Sequence, residues 1–233
     1  MAEEPRGGEL LPVDPKAEWV DAFAPYVELI PLLGGVVSNV MNGWTQERRM
    51  RRVGEVISDF NRRMLALGDR LNETRRDYIR SDEFEDLVDR TLRQVTRERH
   101  EAKRLLYAAF LAGSVESAGG SYQEELRMLR TLDELQPDHI RVLKAIFEEP
   151  SLRHAMGGGA NVFESVHRHM PDVPIGRVVD LVEQLADDLR LTMIGGVVAF
   201  TVTAGVEAEP PDRFTEYGWR FLKFIGLGER PTY

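Results

Sequence analysis

The chain has 233 residues, of which 42% are hydrophobic and 30% charged, with a formal net charge of −9 and no cysteine. Such a composition belongs to a globular chain able to bury a sizeable core, as one large domain or two small ones. It excludes disulfides, thiolate zinc sites and cysteine nucleophiles, and it agrees with a reducing cytoplasm.

Charge is unevenly distributed. Residues 1–43 hold two basic and seven acidic side chains, residues 44–80 ten and six, residues 81–150 ten and fifteen, and residues 151–233 eight and eleven. The one positive stretch is narrow, whereas a general nucleic-acid binder presents a wide basic surface. The opening "MAEEPRGGELLPVDP" lacks the basic, apolar and small-residue order of a secretion signal, and residues 1–15 read as a flexible tail. No window reaches the 18 apolar residues that a conventional membrane span needs.

From Lys16 to about Met41 the pattern is helical but interrupted by Pro25, Pro31 and the pair Gly34–Gly35. Residues 29–41 are apolar apart from Ser38 and Asn39, and are followed by Trp44 and by Arg48, Arg49, Arg51 and Arg52. Two readings of this segment stay open. Trp44 and the arginines suit a membrane interface with anionic head groups, and Gly34–Gly35 suits close contact with lipid or with another subunit. Alternatively the segment is a helical hairpin, turning at Asn42–Gly43 with Thr45 as cap, packed on the next helix. The arginines then form a solvated face or meet an acidic partner.

That next helix carries Val53, Ile57, Phe60, Met64, Leu67 and Leu71 at spacings of three and four, one apolar stripe. Its short run and its glycines, Gly54 and Gly68, point to a bundle helix rather than a long coiled coil. Ser81–Asp82 starts another helix with the stripe Phe84, Leu87, Val88, Leu92 and Val95. "HEAKRLLYAAFLAGS" is a third, and Ser121 with Glu124 predicts a capping box for a fourth, ending near Leu135.

Beyond this point the pattern changes. "PDHIRVLKAIFEEP" is a short amphipathic helix, Asn161 with Glu164 predicts a capping box for "NVFESVHRHM", and Ile175 to about Arg190 forms a longer helix. "LTMIGGVVAFTVT" reads as a β-hairpin turning at its Gly-Gly, and "FTEYGWRFLKFI" as a closing helix. Three helices, a hairpin and a helix is the order of a winged helix-turn-helix.

The runs "SDEFEDLVDRTLRQVTRERHEAKRLLYAAFLAGSV", "LDELQPDHIRVLKAI" and "FTEYGWRFLKFI" resemble uncharacterised bacterial helical proteins, some of them similar to the abortive-infection alpha family of phage defence. The resemblance covers roughly residues 25–225 and lies in helix patterns rather than in a chemical motif. It implies a bacterial origin and a defence context, and carries no catalytic residue.

Candidate chemistry is sparse. The helix that would enter a DNA groove, "IGRVVDLVEQLADDLR", sets Arg177 and Arg190 against Asp180, Glu183, Asp187 and Asp188, and an acidic helix is repelled by phosphate. His167 and His169 are two apart, His154 is distant, and His100 and His139 lie in charged surroundings, so no metal-ligand spacing emerges. "MGGGANVFE" lacks the Lys-Ser/Thr of a phosphate loop. The paired carboxylates (Glu83 with Glu85 and Asp86, Glu124 with Glu125, Asp187 with Asp188) read as solvated faces.

The expectation is therefore a mainly α-helical chain: a bundle over 16–136 with an N-terminal apolar hairpin, a winged-helix-like α+β domain with a small β-hairpin over 137–225, and a tail at 226–233. It is expected to be a non-catalytic bacterial interaction protein of a phage-defence or regulatory system. No catalytic residue, cofactor or metal is expected. A protein partner is expected, a homo-oligomer is possible, and DNA is disfavoured. The alternatives are a membrane-perturbing effector using residues 28–52, peripherally attached to a membrane, and a winged-helix transcription regulator.

Overall fold

A computed structural model describes residues 47–118, 120–149, 160–193 and 212–228. Among these the chain is mainly helical, with nine α-helices: α1 Glu47–Leu67, α2 Glu73–Ile79, α3 Asp82–Arg97, α4 Glu101–Glu116, α5 Tyr122–Glu134, α6 Pro137–Glu148, α7 Ala160–His169, α8 Ile175–Asp187 and α9 Glu216–Phe224.

The stripe on α1 forms as its spacing predicts. Val53, Ile57, Phe60, Met64 and Leu67 are buried, and α1 packs along α4 and α3. The apolar face on which a returning hairpin was expected to lie thus has α3 and α4 against it. The helix ends at Leu67 because Gly68 takes a φ of +47°, a conformation that costs glycine little, and a 3-10 turn over Gly68–Arg70 follows. Then comes α2, seven residues capped by Asn72, which accepts from the Arg75 backbone N–H. No apolar period announces it. Ser81 caps α3 as expected, accepting from the Phe84 N–H.

At the centre stands α4. Twelve of its sixteen residues are buried, from Lys103 to Val115, with only Leu105 breaking the run after Arg104. A helix buried nearly all round has neighbours on every side, and α4 touches α1, α2, α3, α5 and α9. The contact with α9 is very close: a Cβ on Gly113 would lie 2.5 Å from the Phe224 carbonyl oxygen. Phe110 and Phe224 then pack with ring centroids 6.1 Å apart.

Three further helices, α6, α7 and α8, pack on one another. The helix α7 begins at Ala160, so Asn161 lies within it and is not its cap. The expected hairpin turn at Gly195–Gly196 lies outside the described residues. Within them, Thr192 pairs antiparallel with Phe214, whereas a two-residue turn at 195–196 would set Thr192 against residue 199. Thr215 then caps α9, accepting from the Gly218 N–H at 2.8 Å while donating to the Arg190 carbonyl at 2.7 Å. One apolar cluster runs from Val53 on α1 to Ile225 beyond α9.

Candidate interaction surface

The basic segment that draws attention in the sequence does not form one exposed patch. Gly34, Gly35 and Trp44 lie outside the described residues, as does the side chain of Arg48. Arg49 is exposed, and Arg51 is 71% exposed with Glu55 at 3.8 Å. Arg52 turns inward and donates to the Thr96 carbonyl at 2.9 Å.

That last bond belongs to a recurrent device. The final four carbonyls of a helix have no partner within it and carry the negative end of the helix dipole. Here cations from other helices supply the partner. Arg52 of α1 reaches the end of α3 at Thr96, Arg75 of α2 reaches the last carbonyl of α4, Glu116, at 3.1 Å, and Lys103 of α4 reaches Asp133 near the end of α5 at 2.8 Å. Lys103 is buried and also faces Glu98 at 3.5 Å. Arg104 bonds the Arg99 carbonyl at 2.9 Å and Glu55 at 2.7 Å. Two cations of the basic stretch, Arg52 and Arg75, thus tie helices together, and Lys103 and Arg104 beyond it do the same.

The carboxylates are distributed in a way the sequence does not announce. Glu124 and Glu125 are not a solvated pair: Glu124 pairs with Arg220 of α9, so the Ser121–Glu124 box is not formed. Glu125 is 2% exposed and accepts from the Tyr78 hydroxyl at 2.6 Å. Burial raises its carboxyl above the ordinary range, outweighing the phenol's hydrogen bond. Tyr107 donates likewise to Asp133 at 2.6 Å, and burial also raises that carboxyl. Both carboxylates brace helices, and Glu125 also borders a cavity of about 220 Å³ shared with Glu124 and Arg220.

Of the histidines, His139 is 3% exposed and hydrogen-bonded on both nitrogens. Nδ1 accepts from the Gln136 N–H at 3.0 Å, and Nε2 lies 2.9 Å from the Gln184 Oε1 of α8. Burial lowers its pKa, holding it neutral. His169 contacts the Ser165 carbonyl at 3.0 Å, and the buried Nδ1 of His167 has no hydrogen-bond partner. Among the described residues no group of three potential metal ligands converges, and no helix is long and apolar enough to cross a membrane. On α8, Asp180, Glu183, Asp187 and Asp188 are all exposed, while Arg177 is half-buried and bonded to Gln136.

What remains is a groove of about 530 Å³ between α1 and α4, lined by Glu55, Ser58, Asp59, Arg62 and Leu65 of α1 and by Glu101 and Leu105 of α4. The α1 residues recur at three- and four-residue steps, beside the buried stripe, and the α4 pair is one turn apart. Leu65 is 54% exposed and Leu105 36%. Asp59 forms the floor at 5% exposed, bonded by Arg63 at 2.8 Å and by Arg62, itself 75% exposed. Arg104 neutralises Glu55 from below. Chemically this is a small apolar strip between paired charges, suited to contact rather than to bond-making.

Comparison with family models, with curated proteins and with solved structures finds no match.

Proposed function

We propose that this chain is a non-catalytic interaction protein that docks another protein on the groove between α1 and α4. One observation carries the reading. Among the described residues four large apolar side chains are exposed, and two of them, Leu65 and Leu105, line the same groove. Paired apolar anchors within a polar rim are what a protein contact uses. The succession of α6, α7, α8 and then α9 is the helix order of a winged-helix-like C-terminal part, while the Thr192–Phe214 bridge is not the pairing of its expected hairpin. We read this part as a packing and contact module, since the acidic outer face of α8 disfavours phosphate. The bacterial defence or regulatory setting rests on the resemblance to the abortive-infection alpha family.

The test is co-purification from the native host with the wild type and with the double variant Leu65→Asp/Leu105→Asp, both checked for unchanged helical content. A partner that is retained by the wild type and lost by the variant is the expected result. Flotation of the wild type with anionic vesicles, or sub-micromolar duplex binding at physiological salt, would overturn the reading in favour of a membrane effector or a transcription regulator.

A further inference from the structure

The cavity beside Glu125 lies where α9 meets the junction of α4 and α5, and it shares no residue with the α1/α4 groove. Its volume is about 220 Å³, and two of its walls carry opposite charge. On α5 the lining residues are Ser121, Glu124 and Glu125, and on α9 Arg220, Lys223 and Phe224 repeat the same spacing. Steps of three and four set side chains on one face of a helix, so an acidic face of α5 meets a basic face of α9. We propose that this cavity binds a small zwitterion of the amino-acid class, its ammonium on the α5 carboxylates and its carboxylate on the α9 cations.

The lining groups hold unused hydrogen-bonding capacity of both signs. Glu125 is 2% exposed, yet only Oε2 is engaged, by the Tyr78 hydroxyl, and Oε1 has no hydrogen-bond partner among the described residues. No cation of those residues pairs with it, and burial raises its carboxyl. A buried carboxylate oxygen without a donor is costly, and an ammonium in the cavity would supply both the donor and the counter-charge. On the other wall Arg220 gives Glu124 one nitrogen, Nη2. A guanidinium has five N–H donors, so others are left for a ligand carboxylate. The Ser121 side chain makes no capping bond, which leaves its hydroxyl to serve either end.

Size and charge narrow the ligand. At about 30 Å³ for each water, the cavity holds about seven waters, and it falls below the roughly 300–1,000 Å³ of sites for drug-sized molecules. Nucleotides and large cofactors are therefore too big. The two carboxylates and two cations sum to no net charge. A simple anion would meet Glu124 and Glu125, and a simple cation would meet Arg220 and Lys223, whereas a zwitterion answers both walls. Among the described residues no group of three metal ligands converges, which disfavours a metal ion. A bound zwitterion would join α5 to α9 alongside the Glu124–Arg220 pair.

The test uses the full chain. It is heated with millimolar L-alanine, β-alanine or γ-aminobutyrate, whose ammonium and carboxylate stand progressively further apart. Acetate, ethylammonium chloride and inorganic phosphate serve as controls of a single charge. A compound that binds only the folded state raises the Tm increasingly as its concentration exceeds its Kd. At least one zwitterion should raise the Tm by several degrees, and the controls should leave it unchanged. Calorimetric titration should then show that Glu125→Gln and Arg220→Gln each weaken binding of that zwitterion about tenfold or more. Glu125→Gln should do so without lowering the Tm of the free protein at pH 7, so its lost response is not misfolding. No rise with any of the three zwitterions, an equal rise with phosphate, or binding that both variants retain would each overturn the proposal.

Discussion

Helices α1 to α5 and helices α6 to α8 terminate in different ways. In the first group the ends of α3, α4 and α5 receive Arg52, Arg75 and Lys103 from other helices, so charged side chains tie the elements together. In the second a neutral tie, His139 joining Gln136 to Gln184, stands beside charged ones from Arg141 to Asp172 and from Arg177 to Gln136, and Thr215 caps α9 while holding the Arg190 carbonyl. Long-range cationic caps make a bundle respond to charge replacement, whereas a buried neutral histidine makes its neighbours respond to acid. Both groups share one apolar cluster, which should make them lose structure together.

The largest expected effect tests that shared core. Phe60→Asp places an unpaired charge at a 1% exposed position, and a cost of about 4 kcal/mol or more should abolish native helical content in both groups. Circular dichroism that retained a second, separate melting transition would show α6–α8 to be independent.

The junction comes next. Gly113→Val would press a side chain into the Phe224 carbonyl and should cost about 1–3 kcal/mol, read as a lower midpoint in urea. A midpoint within error of the wild type would mean that α9 does not bear on α4. Lys103→Met keeps the packing but leaves the Asp133 carbonyl and Glu98 without their cation. A loss of about 1–3 kcal/mol is expected, whereas His139→Gln should cost less at neutral pH.

The finest distinction lies in opposite responses to pH. Glu125 has a folded pKa raised above its ordinary 4.5, so its burial opposes folding as pH rises through and above that value. Glu125→Gln should therefore raise the Tm at pH 7. His139 has a folded pKa below its ordinary 6.5, so its contribution is complete above 6.5 and is lost progressively as pH falls below it. His139→Gln should flatten the stability profile below pH 6.5 and leave it unchanged above. A variant profile parallel to the wild type throughout would deny His139 that role.

Much of the helical layout was legible because burial on one side imposes a period. Val53 to Leu67 and Phe84 to Val95 are examples. Other features leave no such trace. The acceptors of Arg52, Arg75 and Lys103 are backbone carbonyls, and a carbonyl has no residue identity, so these arginines and this lysine look like surface charge until the helices are assembled. Glu125 reads as solvated until Tyr78, 47 residues away, supplies its hydrogen bond. Glu124 could have formed a local box with Ser121 but is drawn to Arg220. The short helix α2 has too few turns to show periodicity. For the groove, the signal was an apolar Leu65 standing off the main stripe, together with Leu105 beyond the start of α4, and sequence alone does not bring them together.

The place of α9 has a consequence for biosynthesis. The ribosome delivers α4 more than a hundred residues before the helix that covers Gly113, as the contact joins residues 113 and 224. Until then the side of α4 that bears Phe110 waits without its permanent neighbour, and a nascent chain in that condition exposes apolar surface of the kind that chaperones and proteases recognise. Completion of this part of the core thus waits until α9 has been made. A product that stops before α9 should be removed by the cell's quality control rather than persist as a stable fragment.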